Sequence, residues 1–185
     1  LTARSLTLKT LIITHWDLDH YGGIARVLEF APDASIYYNI QFWQLNSTDG
    51  RLRSAMRQIT SRDNSHELLR NAEAPASGSV GTAVRWKLLA PTHAEVTASS
   101  LNGNRNDSSV VVDIAAGQSR ILVGGDATPE IWKRLLTTPE LSSPADILRW
   151  PHHGALLGNE GELGRRLVDA LHPDYVVISV GTKNR

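Results

Sequence analysis

Four side chains that bind metal ions crowd one short stretch of this sequence: His15, Asp17, Asp19 and His20, in His15-Trp16-Asp17-Leu18-Asp19-His20. In a tight loop, positions i, i+2, i+4 and i+5 can point to one side of the backbone. Two carboxylates and two imidazoles gathered there repel one another and are costly to desolvate unless cations neutralise them. The bland reading is a solvated acidic turn with two incidental histidines. The apolar strand before the cluster and Gly22-Gly23 after it argue against that, because a loop leaving a buried strand is where a rigid scaffold lets ligands converge. The chain has no cysteine, which excludes a disulfide framework and a thiolate site. Any metal must be held by histidine nitrogen and carboxylate oxygen.

The elements that would position such a cluster alternate between strands and helices. Leu6 to Thr14 reads as a strand running into His15. Ile24 to Phe30 reads as a short helix ended by Pro32, and Ser35 to Ile40 as a second strand. Asp49 can cap a helix whose apolar positions Leu52, Met56 and Ile59 fall on one face. Asn64 to Gly81 is polar and rich in small residues and reads as a partly helical excursion or a loop. Val84 to Leu89 is a strand stopped by Pro91, and Ser99 to Asn106 a loop. Ser108 to Ala115 and Arg120 to Val123 form a hairpin about Gly117. Thr128-Pro129-Glu130 opens a helix through Leu136. Ile147 to Trp150 is a strand, Glu160 to Leu171 a helix and Tyr175 to Val180 a last strand. Both strand-pairing styles with helices between them predict an α/β layered sandwich.

Composition narrows the function. The 185 residues, 41% apolar, suffice for one globular domain with its own core. Lysine plus arginine balances aspartate plus glutamate at 19 each, so no global basic field points to nucleic acid, although a local patch could serve. No apolar run is long enough for a membrane span and no secretory signal opens the chain, so the expected location is the cytoplasm. The chain starts at Leu1, which leaves room for an upstream segment.

His15-x-Asp17-x-Asp19-His20 after a strand resembles the His-x-His-x-Asp-His motif of the metallo-β-lactamase superfamily. Aspartate at the second position is similar to the branch that contains the metallo-β-lactamase domain of the DNA-uptake protein ComEC. Further motifs of that branch follow in order. Asn106-Asp107-Ser108-Ser109 resembles its Asn-x-x-Ser segment. Gly124-Gly125-Asp126 resembles the segment whose aspartate bridges two metals. Trp150-Pro151-His152-His153-Gly154-Ala155 resembles Pro-His-His-Gly-Ser, with alanine for serine, and Val177 to Asn184 resembles the strand and loop before the last histidine. The usual third-motif histidine is absent, and Asn106 stands roughly in its place.

The resemblance implies a metallo-β-lactamase-type αββα sandwich over residues 1–185, lacking its first strands, expected before Leu6, and its C-terminal end, where a closing histidine is expected beyond Arg185. It implies two divalent ions, His15 and Asp17 holding one, Asp19 and His20 the other, with Asp126 between them. Three carboxylates against two or three imidazoles make an oxygen-rich site where manganese or magnesium competes with zinc. Asp19 could also orient the attacking water, and His152 or His153 could donate a proton to the leaving group or bind a phosphoryl oxygen; the sequence does not choose between the pair. Asn106 and Ser109 are expected at the substrate, although Asn-Asp-Ser is also good turn chemistry.

The leading expectation is a phosphodiesterase or nuclease acting on DNA, serving a larger bacterial assembly. The alternatives are a small-molecule hydrolase of a cyclic nucleotide, lactone or thioester, which neutral charge mildly favours, and a non-catalytic sensing or scaffolding module. Trp16 is expected to pack on its own loop rather than stack on a substrate. His66, His93 and His172 read as surface or turn residues, and Trp43, Trp86 and Trp132 as core or interface. Arg51, Arg53, Arg57 and Arg62 read as a solvated helix face rather than a phosphate-binding one.

Overall fold

Two sheets, back to back, supply the strand ends from which the chemistry-bearing loops depart. The computed structural model describes residues 7–39, 47–69 and 76–180. The first sheet is parallel, in the order β1 (Thr10–Ile12), β2 (Ser35–Tyr38), β3 (Ser65–Glu67). The second has the order β4 (Ser77–Val80), β5 (Val84–Ala90), β6 (Val111–Ala116), β7 (Ser119–Val123), β8 (Ile147–Arg149), β9 (Tyr175–Val177). Its first four strands form an antiparallel meander; β7, β8 and β9 are parallel. Parallel neighbours need crossovers. These are α1 (Leu18–Tyr21) with α2 (Ile24–Phe30), α3 (Gly50–Thr60), α5 (Pro129–Leu135) and α6 (Glu162–Leu171), while α4 (His93–Asn102) links β5 to β6.

Side-chain alternation along the strands sorts the core into three apolar layers. In β2, Ile36 and Tyr38 join Leu28 of α2 and Leu52, Met56 and Ile59 of α3. Tyr37 turns the other way, with Ile12 of β1, toward Trp86, Leu88 and Val112 of the second sheet. On the far face of that sheet, Val111, Leu122 and Leu148 pack under Ile131, Trp132 and Leu135 of α5 and Leu163, Leu167 and Leu171 of α6. The layers therefore run helix, sheet, sheet, helix, the expected αββα order. A β-bulge in β5, where the register shifts between Leu88 and Ala90, sends Leu88 into the inter-sheet layer and both Leu89 and Ala90 under the helices.

Several elements sit where the residue pattern put them. The helix Ile24–Phe30 coincides, and Asp49 caps α3 by accepting the Arg51 N–H while Leu52, Met56 and Ile59 are buried. The hairpin turns at Gly117 with φ 64°. Three readings are corrected. The stretch 64–81 carries no helix among its described residues; β3 and β4 lie at its two ends. The loop expected from Ser99 begins instead with the end of α4, whose start is fixed by Thr92 and Glu95 bonding each other's backbone in a capping box. Among the described residues, the strands proposed for Leu6 to Thr14 and Tyr175 to Val180 are three residues each, and Leu6 itself lies outside them. Ile40, Trp43 and the end of the Val177 to Asn184 segment lie outside the described residues. No helix among the described residues is long and apolar enough to cross a membrane.

Candidate metal centre

The carboxyl ends of β1, β7 and β8 meet at one end of the sandwich, stitched by the Val110 N–H donating to the Thr14 carbonyl at 2.9 Å. Beyond β1, successive side chains point opposite ways. Trp16 is buried against Tyr21 and Tyr38, with its indole N–H donating to the Asn39 carbonyl, as expected for a scaffold residue. His15, also buried, faces the inter-sheet end. Asp17 opens α1, and the His20 N–H donates to its carbonyl at 2.9 Å, so one short turn brings Asp19 and His20 beside His15.

Asp126 enters from the loop after β7. Its backbone N–H donates to Ser109 Oγ at 2.7 Å, and that hydroxyl lies 3.3 Å from His15 Nδ1. The tight approach requires glycine before it. Gly125 has φ +51°, and a Cβ there would fall 2.5 Å from Ser109 Oγ and 2.7 Å from the Val110 carbonyl oxygen. The loop after β8 is tied to the same glycine: the His152 N–H and Arg149 Nη1 both donate to the Gly125 carbonyl, each at 3.0 Å. His152 and His153 then both adopt positive φ, 46° and 52°. Two successive non-glycine residues there are strained, a feature that concentrates at functional sites. The strain turns His152 outward, exposed, and His153 inward. His153 Nδ1 donates to the Ser179 carbonyl at 2.8 Å, which leaves the lone pair on Nε2 in the neutral ring.

Five polar side chains converge. Asp126 Oδ2 lies 3.7 Å from His15 Nε2, 3.4 Å from His20 Nε2 and 3.4 Å from His153 Nε2. Asp19 Oδ2 is 3.2 Å from His153 Nε2 and 3.7 Å from His20 Nε2. The two nitrogens of His20 and His153 are 3.2 Å apart. His15–His20–Asp126 and Asp19–His20–His153 thus form two overlapping groups whose ligand atoms could hold an ion. Among the described residues, His15 Nε2 and Asp126 Oδ1 are buried without a hydrogen-bond partner. Stranding buried polar atoms is costly, and cations between them would satisfy both, so the side chains fit divalent metal.

The electrostatics agree. Burial, and then the neighbouring His20, push His15 down to about 4, so near neutral pH it offers a lone pair rather than a positive charge. Burial works to raise Asp126, but the His20 ring beside it and the charges of His15, His20 and His153 hold its carboxyl below the usual range, so it stays anionic. The hydroxyl of Thr14 stands 3.2 Å from both His15 Nδ1 and His20 Nδ1, under the two rings.

Of the residues the sequence put forward, His15, Asp19, His20, Asp126 and His153 come together. Asp17 stands at the edge: Oδ2 is 3.8 Å from His15 Nε2, and Oδ1 accepts from Arg105 Nη1 at 2.9 Å. Ser109 is fully buried beneath the cluster, and Asn106 lies in the turn before it, its Oδ1 buried without a hydrogen-bond partner among the described residues. His152 is 6.4 Å from His153, ring centre to ring centre. His66, His93 and His172 are exposed, and the Arg51, Arg53 and Arg57 side chains line the solvent face of α3. The sequence reading missed Thr14 and Arg105; Thr14 adjoins His15 in the chain, whereas nothing local marks Arg105.

No protein-family model matches the chain, and none of the curated proteins does. Solved structures do resemble it. The E377D mutant of the β-hydroxylase CmlA superposes with a TM-score of 0.55 at 19% identity, over 92% of this chain and 36% of that one. CmlA itself, a diiron β-hydroxylase from Streptomyces venezuelae, gives 0.53 at 17% identity, over 92% and 35%. A metallo-β-lactamase fold protein, YhfI from Bacillus subtilis, is looser still, with a TM-score of 0.46 at 12% identity over 96% of this chain and 78% of that one. The chain spans about a third of the length of CmlA and shares its fold over that part.

Proposed function

We propose that this chain is a dinuclear metal-dependent hydrolase of the metallo-β-lactamase superfamily that cleaves phosphodiesters, with DNA as the substrate to test first. The observation that carries the hydrolase reading is the convergence of His15, His20 and His153 on the Asp126 carboxylate, with partnerless atoms at its centre. The phosphodiester and DNA come from the motif resemblance to the ComEC branch. His15 and Asp17 would hold one ion, and Asp19 with His20 the other. Asp126 would be shared between them, and His153 would complete the set. If bound there, two divalent ions, manganese, zinc or magnesium, would activate water near neutral pH and neutralise charge in the transition state.

The chain's own groups divide the remaining work. Asp19, exposed on the open side, orients the attacking water. His152, exposed beside His153, protonates the leaving oxygen. Ser109 and Thr14, beneath the cluster, hold the imidazole rings in place. Asn106, one turn away, meets the substrate.

Incubating wild type and Asp126→Ala with single- and double-stranded DNA plus manganese, magnesium or zinc tests this reading. Cleavage by wild type alone is expected; equal cleavage by both proteins overturns the site. Failure to cut DNA alongside hydrolysis of a cyclic nucleotide, lactone or thioester moves the reaction to a small molecule. One observation favours a second reading: the fold is shared with CmlA, described as a diiron β-hydroxylase. Three carboxylates and three imidazoles also suit iron. Dioxygen consumption by iron-loaded protein would support that reading.

A further inference from the structure

Arg105 reaches the mouth of the metal centre from the far side of the chain, 88 positions from the carboxylate it meets. It opens the short turn Arg105–Ser108 between α4 and β6, and that turn is heavily braced. Asp107 accepts from the Asn102 and Asn104 side-chain amides, both at 3.0 Å. The Ser108 hydroxyl donates to the Arg105 carbonyl at 2.8 Å, and the Ser99 hydroxyl to the Asn104 carbonyl at 2.6 Å. All this rigid backbone delivers one guanidinium to Asp17 Oδ1, while the other oxygen of Asp17 faces His15. The two side chains remain open to solvent, 49% exposed for Arg105 and 33% for Asp17.

We propose that Arg105 is an anion-binding residue of this site that takes a phosphoryl oxygen of the substrate in exchange for Asp17. The inference rests on the phosphodiester reading and names the group that would select for it. Asp17 has two claimants, the guanidinium and a metal ion beside His15. A half-exposed ion pair contributes little to stability, so exchanging it is easy. When the Asp17 carboxylate turns to the ion, the guanidinium gives up that one contact, and the N–H groups so released face a cluster whose substrate carries negative charge. Its planar fork of N–H donors matches two phosphoryl oxygens, which an ammonium does not.

Exchange and mere bracing of Asp17 give opposite signs. Manganese and then inorganic phosphate are titrated calorimetrically into wild type, Arg105→Gln and Arg105→Lys. If Arg105 binds the anion, Arg105→Gln weakens phosphate binding to the manganese-loaded protein by about tenfold or more, the scale of a lost charge-assisted hydrogen bond. Manganese binding stays equal or tightens, because a competitor for Asp17 is gone, and Arg105→Lys recovers part of the phosphate affinity. Phosphate binding that does not change in Arg105→Gln, or that is absent in wild type, overturns the proposal. So does a fall in manganese affinity together with phosphate affinity, which marks a bracing role. The readout needs no turnover. A protein that cuts no DNA yet loses phosphate with Arg105 refutes the reaction assigned above and leaves this proposal standing.

Discussion

Ser109→Ala removes one oxygen atom from beneath the cluster and leaves every proposed ligand in place. Ser109 is fully buried; its hydroxyl takes the Asp126 N–H at 2.7 Å and lies 3.3 Å from His15 Nδ1. In alanine the buried Asp126 N–H has no acceptor, a loss of about 1–3 kcal/mol. His15 suffers less, since Thr14 Oγ1 remains 3.2 Å from the same nitrogen. The expected destabilisation of the metal-stripped protein is therefore about 2 kcal/mol, or roughly 4–8 °C in Tm for a chain of this size. Loosening a group behind two ligands also weakens metal binding, on the order of 10–100-fold. Urea unfolding followed by tryptophan fluorescence reads the first effect and manganese calorimetry the second. Adding Thr14→Val sharpens the test. His15 Nδ1 then has neither hydroxyl, so the double variant should lose more affinity than the two single losses combined. Unchanged stability and metal affinity in Ser109→Ala would refute the idea that these hydroxyls orient the ligands.

His153→Ala should abolish one metal equivalent, whereas His152→Ala, on the exposed ring, should keep both and lose turnover; metal content and kcat measured together separate them. Gly125→Ala should cost about 3 kcal/mol or more, since it adds left-handed strain to overlap with Ser109 and Val110, while Gly23→Ala, with nothing within 4 Å, serves as the control in the same thermal melts. The metal-stripped protein should lose stability as pH falls. Above about 6.5 His15 is neutral in both states; below it only the unfolded chain takes the proton, until the folded value near 4 is reached, a loss on the order of 3 kcal/mol. Asp126, held low in the folded chain, adds to the loss once pH drops below the ordinary aspartate value of 3.8. Urea midpoints from pH 8 to 4 should fall through this window, and the part due to His15 should vanish in His15→Asn.

Local signals were legible where one face of an element is apolar. Leu52, Met56 and Ile59 marked α3, and the cluster His15 to His20 declared itself because its members share one loop. Other elements hid for physical reasons. Helix α4 buries only Ser99, so it shows no apolar stripe, and its Ser-rich end imitates a loop; the Thr92–Glu95 capping box was the readable sign. Strand β4 is polar and small because a side chain at Gly78 would strike the Trp86 ring at 2.7 Å. Strand β3 is three largely exposed residues paired to β2, with little apolar surface to give it a pattern. The choice between His152 and His153 turns on two positive φ angles, and the Arg105–Asp17 pair on a contact between distant loops. Neither leaves a trace in local spacing.

The central claim is that His15, Asp17, Asp19, His20, Asp126 and His153 form one dinuclear centre. Native mass spectrometry of wild type and Asp126→Ala, each loaded with manganese and with zinc, addresses it most directly. Two ions on the wild-type chain and loss of both from Asp126→Ala are expected. A wild-type chain that retains no ion, or an Asp126→Ala chain that retains both, would contradict the account.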